Sequence, residues 1–336
     1  METKAEKREK QLLVSIGPHI GSEESIPRIM WAVSISLLPA FIISVYYFGL
    51  RAIAVVGVSV LSCVIFETIT QKMLKKKVTI SDGSAFLTGL LLGLNLPSSI
   101  PLYQPVIGSL VGIVITKHLF GGLGYNIFNP ALIGRTFMLI TWPRPMTTWY
   151  KPVAGITTMD AITTATPLGI LKEDGIGKLI ETFGDKMNLY INLFLGNRAG
   201  SLGETSVIVL LIGAAFLFYR GYITWHIPFS FVGTVMALTW IFGGKGGLFA
   251  GDPILHLLSG GLILGAFFMA TDYVTAPAIR KAQIVFGIGV GALTVLIRLK
   301  GGYPEGVMFG ILLMNCFSPL LDRAFKAIPF GTIKRK

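Results

Sequence analysis

DGSAFLTGLLLGLNLP, Asp82 to Pro97, sets an acidic residue before a short apolar run that carries Gly-Leu-X-Leu-Gly at Gly89 to Gly93. DPILHLLSGGLILG, Asp252 to Gly265, repeats that arrangement, with the glycines now at Gly261 and Gly265. In each half another apolar run follows, then a glycine pair (Gly121 and Gly122; Gly301 and Gly302). An apolar stretch broken by an X-Pro closes each half, FNPALIGR from Phe128 and FSPLLDR from Phe317. The chain therefore reads as two copies of one unit.

The unit belongs in a membrane. Of 336 residues, 52% are hydrophobic and only 14% charged, with a mean hydropathy of +0.69; a soluble domain carries about 25% charged residues. Apolar runs fall at 29–49, 52–70, 84–96, 105–120, 126–142, 205–219, 223–242, 254–271, 282–299 and 306–321. These predict an all-α polytopic membrane protein with about ten helices, several short of the roughly 20 residues that a full crossing needs. The first run is longer than a signal-peptide core and no small-residue cleavage site follows it, so it is read as a span.

A net charge of +12 would suggest nucleic acid in a soluble chain, but no basic stripe is present to hold a phosphate backbone. Membrane topology accounts for the cations instead. With the N-terminus inside, eighteen Lys and Arg lie in inside segments and four in short outside loops. Both termini are therefore expected in the cytoplasm, and the long loop 143–204 outside. The expected organisation is a cytoplasmic arm 1–28, a first five-helix unit 29–142, the extracytoplasmic loop 143–204, a second unit 205–321 and a basic cytoplasmic tail 322–336. Five spans per unit is an odd number, so the second copy enters the membrane inverted. Glycine- or proline-broken spans at matching places in such a pair point to a central site.

Cys63 and Cys316 both sit in apolar runs, which excludes a disulfide framework and a four-thiolate cluster within this chain. His19, His118, His226 and His256 lack the paired spacing of a metal site. Intramembrane ionisable groups are the better functional candidates. Arg135 needs a carboxylate, a carbonyl or a cofactor oxygen. Glu67 either lines a polar path with Arg135, snorkels to the lysines after the second run, or forms a structural pair. Asp272 and Glu305, at run ends, are expected to cap.

The loop 143–204 contains DAITTATP, Asp160 to Pro167. A Thr-rich segment of this kind can simply cap a turn or a helix start. It also offers an accessible hydroxyl at Thr166, flanked by the small Ala165 and by Pro167, which has no backbone N–H.

DAITTAT resembles the flavin attachment motif of membrane redox subunits, in which flavin mononucleotide (FMN) is held as a threonyl phosphoester. That resemblance implies attachment at Thr166, with Asp160, Thr163 and Ala165 as the other motif positions. Together with DGSAFLTGLLLGLNLP, FNPALIGR, ATDYVTAP from Ala270 and GGYPEGVMFGILLMN from Gly301, it makes nearly the whole chain similar to the D-subunit family of the Rnf ion-translocating ferredoxin:NAD oxidoreductases. The B subunit of the sodium-translocating NADH:quinone reductase is the sister family, and its longer N-terminal region favours the Rnf side. Thr164 departs from the glycine that many relatives carry.

The resemblance implies two inverted five-helix repeats similar to urea transporters, covalent FMN and a second, noncovalent flavin of the riboflavin type. It implies flavin and iron–sulfur partner subunits, a dedicated flavin transferase, and a bacterial or archaeal cytoplasmic membrane. An inverted-repeat solute channel or permease is the alternative that architecture alone allows.

Overall fold

The computed structural model describes residues 24–152, 163–244 and 247–325. Among them the regular structure is helical, and the only β-pairing is one isolated bridge. Helices α1 (Ile26–Phe48) and α2 (Leu50–Met73) are followed by α3 (Ser84–Leu94), by α4 (Tyr103–Leu110) running on into a π-helical segment Val111–His118, and by α5 (Pro130–Thr141). After the long connection come α10 (Val207–Tyr219), α11 (His226–Phe242), α12 (Pro253–Leu258), α13 (Leu262–Leu264) with a π-helical continuation Gly265–Met269, α14 (Arg280–Lys300) and α15 (Val307–Ala324). Every predicted apolar run contains a helix. The run 254–271 differs from expectation, because Ser259–Gly261 interrupts it between α12 and α13.

The acidic residues that open the two stretches each bond a helix start, Asp252 as the N-cap of α12 and Asp82 from the position before Gly83, the N-cap of α3. Asp82 accepts from the backbone N–H of Ser84 at 2.8 Å, and Asp252 accepts from that of Leu255 at 3.1 Å, so each satisfies an orphan N–H at the start of a short helix. The glycines then let helices approach closely. A Cβ added at Gly89 or Gly93 would stand 2.5 Å from the Val60 Cα and 2.9 Å from the Val56 Cα, which seats α3 on α2 backbone to backbone. Gly287 and Gly291 of α14 meet α11 in the same way, near Ile227 and Phe231. Gly89→Val should therefore lower the thermal midpoint of the purified protein in detergent, by about 1–3 kcal/mol of overpacking. Gly57→Ala, inside α2 with nothing within 4 Å, should not lower it and should raise it slightly through helix propensity.

Apolar side chains also face outward. Ile35, Ile42, Ile65, Ile212, Phe229, Leu296, Leu313 and Phe317 are exposed, while Ser34, Ser36, Ser44, Ser59 and Ser62 are buried. Water would penalise such a surface and lipid does not. Four helices, α1, α2, α14 and α15, are long and apolar enough to cross a bilayer. The protein is a multi-pass membrane protein.

Loop contacts fall into two groups. In one, Lys76 donates to the Gly121 carbonyl, Tyr222 to Glu24, and Tyr273 to the Tyr222 carbonyl. In the other, Arg51 donates to the carbonyls of Ser98 and Ile100, Ser99 to that of Thr148, and Tyr47 to that of Leu195. The connection 143–204 joins the second group. It is not one polar loop, for it folds into α6 (Pro143–Thr147), α7 (Pro167–Glu173), α8 (Ile176–Phe183) and α9 (Lys186–Leu195). Leu168, Leu179, Leu189 and Leu193, buried against the bundle, hold these short helices in place.

Candidate functional site

Two strands of chain bring Thr166 to the bundle. Tyr150 and Thr163 form the antiparallel bridge, and the N–H of Thr164 donates to the Trp149 carbonyl at 3.0 Å. Three residues later α7 begins, with Pro167 in its first turn and Thr166 as its N-cap. The Thr166 Oγ1 accepts from the backbone N–H of Gly169 at 3.1 Å. The helix-start role and the candidate attachment role thus fall on one hydroxyl. Its expected exposure needs correction: Thr166 is 6% exposed, because capping turns it inward, while Thr163 and Ala165 face outward. Asp160 lies outside the described residues.

Inward from Thr166 is a cavity of about 300 Å³, within the range of small-ligand sites. Its wall includes Thr166, Trp149, Tyr303, Glu305 and Arg135. Arg135 arrives from α5, whose start is fixed by Asn129. The Asn129 side-chain oxygen accepts from the N–H groups of Ala131 and Leu132, with Pro130 at the first turn. The carboxylate that Arg135 needs is Glu305, on the turn before α15, at 3.0 Å. The Arg135 Nε is buried without a partner.

Behind the pair lie Arg198, Glu204 and Arg298, each almost fully buried. Arg198 donates to the carbonyls of Leu258, Glu204 and Gly260, and Arg298 to those of His256 and Ser259. Both guanidiniums therefore hold the interruption between α12 and α13. Burial first, then the charge of Glu305, push the Glu204 carboxyl above its ordinary range, against the pull of Arg135 and Arg198. Lys172 of α7 donates to the carbonyls of Gly301 and Tyr303, tying α7 to the turn before α15.

Glu67 is elsewhere and neither snorkels nor meets Arg135. It is buried on α2 and paired with Lys117, whose Nζ stands 2.8 and 2.7 Å from the two carboxylate oxygens and 2.7 Å from the Ser84 hydroxyl. Gln71 donates to the same carboxylate and to Thr79. Lys117, which the cation count places among the inside loops, is instead 1% exposed at the end of the π-helical segment.

Lys117, Glu204, Glu305, Trp149 and Tyr303 do not stand out as site residues in the sequence. The available signal for Glu305 is Arg135 itself, since a buried guanidinium requires an acid and Glu305 sits at a span end of the second unit. For Lys117 the signal is its place inside an apolar run beside Glu67.

The chain matches the NQR2, RnfD, RnfE family over residues 13–331. It is 53% identical over 319 residues to the D subunit of the proton-translocating ferredoxin:NAD(+) oxidoreductase complex of Clostridium ljungdahlii, covering 95% of this chain and 96% of that one. It is 44% identical over 331 residues to the D subunit of the Na(+)-translocating ferredoxin:NAD(+) oxidoreductase complex of Acetobacterium woodii, covering 98% of each. The D subunit of an ion-translocating oxidoreductase complex from Stutzerimonas stutzeri is 38% identical over 327 residues, with 91% and 92% covered.

Proposed function

Because the chain belongs to the NQR2, RnfD, RnfE family, we propose that it is the D-type membrane subunit of an ion-translocating ferredoxin:NAD(+) oxidoreductase complex and carries FMN on Thr166. The observation that carries the attachment is the shared cavity: the motif threonine, two aromatic rings and a guanidinium with a free N–H line one space. Those residues fit the group. Thr166 would hold its phosphate, Trp149 and Tyr303 offer faces to an aromatic ring, and Arg135 offers a donor.

FMN supplies electron transfer when bound, and the protein supplies its place and its electrostatic surroundings. Attachment by a flavin transferase joins the Thr166 oxygen to the phosphorus of the FMN moiety of flavin adenine dinucleotide. The pyrophosphate bond breaks, adenosine monophosphate leaves, and the hydroxyl proton is released. Ultraviolet fluorescence of the denatured polypeptide on a gel tests this directly. A dark band from cells that make the transferase would overturn it.

The proposed partners are the flavin and iron–sulfur subunits of the complex, which the relatives' naming as one subunit of a multi-subunit assembly supports. A riboflavin-type flavin belongs to the same proposal. The relatives' names favour the D subunit over the B subunit of the quinone reductase, and over a channel or permease.

In the bilayer of a bacterial or archaeal cell, we assign ten crossings as two inverted five-helix repeats, 29–142 and 205–321. The recurring helix order, the helix-start bonds accepted by Asp82 and Asp252 and the two groups of loop contacts support this. The arm 1–28 and tail 322–336 are then cytoplasmic and the connection 143–204 faces outside. Lys172 is a poor reporter, being tied to two carbonyls; Lys77 and Lys178 are exposed. Single cysteines at these two, in a background lacking Cys63 and Cys316, should label from opposite sides with an impermeant reagent. Labelling from one side refutes the topology. Glu67, paired with Lys117, and Arg135, paired with Glu305, are proposed as separate polar points along the route of sodium ions or protons.

A further inference from the structure

We propose that the Arg135–Glu305 pair sets the reduction potential of the flavin carried at Thr166; this rests on the attachment proposed above. Arg135 and Glu305 line the cavity that Thr166 lines, 3.0 Å from one another. The side chains of Arg135 and Glu305 are 9% and 16% exposed, so their field is less screened than that of a surface pair. Arg198, Glu204 and Arg298 lie close enough to interact with the pair, and a further carboxylate, Glu173, lines the same cavity. Arg198 and Arg298 give their terminal N–H groups to backbone carbonyls; the Nε of Arg298 and that of Arg135 both lack a partner, and of the two only Arg135 lines the cavity. Of the three guanidiniums, Arg135 is the one that lines the cavity, so its charge and its free N–H are the ones presented to that space.

A positive charge beside a ring system stabilises the form with added electrons, and a negative charge opposes it. Arg135 raises the potential and Glu305 holds it down. The carboxylate also fixes the guanidinium's position, so the two act as a set dipole and not as a mobile cation.

The test uses the full-length subunit carrying its covalent flavin, purified in detergent and titrated by visible absorbance. Mass spectrometry of the Thr166 peptide establishes loading in every sample. Arg135→Gln should make reduction at least tenfold less favourable, a shift of about 30 mV downward for a two-electron couple. Glu305→Gln should shift the potential upward, and Arg135→Lys should stay near the parent. Opposite signs are the decisive readout, because a merely structural role would move both variants the same way or neither. Where Arg135→Gln fails to fold, Glu305→Gln, which preserves a hydrogen-bonding group, still decides. A loaded Glu305→Gln protein with an unmoved or lowered potential overturns the proposal. Absence of FMN from the parent peptide overturns the attachment itself.

Discussion

Thr166→Ala abolishes the covalent flavin and collapses ferredoxin-dependent NAD reduction by the complex, while the helical bundle remains folded. The first effect follows from chemistry, because alanine has no oxygen to form the phosphoester. The second follows from the electron path, because a carrier held at one place cannot be replaced by one in solution. The fold is not wholly indifferent. Thr166 caps α7 through its bond from the Gly169 N–H, so alanine should cost about 1 kcal/mol. Thr166→Asn separates the two roles. Asparagine caps well and cannot carry the phosphoester, so its thermal midpoint should match the parent while its gel band stays dark. FMN found on Thr163 or Thr164 by peptide mass spectrometry would assign the attachment to a neighbouring hydroxyl and refute the prediction.

Breaking the Glu67–Lys117 pair should have the largest effect on stability. Lys117 is fully buried and shares its ammonium group between the two Glu67 oxygens and the Ser84 hydroxyl. Glu67→Gln or Lys117→Met leaves one charge inside without its counter-charge, at a cost of about 3–5 kcal/mol. The double variant removes both charges and should recover most of that loss. Thermal denaturation of the four proteins in detergent gives the coupling. Additive losses, with no recovery in the double variant, would show that the pair is hydrated or unformed. The recovered double variant is also the background in which ion movement per electron can be measured. An unchanged ratio there removes Glu67 from the proposed ion path.

The sequence carries the helices because lipid enforces a simple relation between apolar length and span. It also marks Asp82 and Asp252, each of which accepts a backbone N–H at the start of the short helix that follows it. Arg135 declares a need for an acid, but its partner lies 170 residues away, and no periodicity connects α5 to the turn before α15. Lys117 is misplaced by sequence reasoning for a related cause. A lysine at the end of an apolar run resembles an interfacial anchor, and only the packing of α2, α3 and the π-helical segment encloses it. Thr166 reads as open because loop polarity and a hydroxyl suggest exposure; the cap that turns it inward depends on α7 docking through Leu168.

The interruption between α12 and α13 has an electrical consequence. A helix broken inside a membrane leaves carbonyls that lipid cannot satisfy, and water is the usual substitute. Here Arg198 and Arg298 occupy the carbonyls of Leu258, Ser259 and Gly260 as fixed donors. A guanidinium saturates a carbonyl without offering an acceptor that could hand a proton onward. The gap in the helix is thereby held by fixed charges in place of water, with the Glu204 carboxylate beside Gly261 as a group there that can exchange a proton.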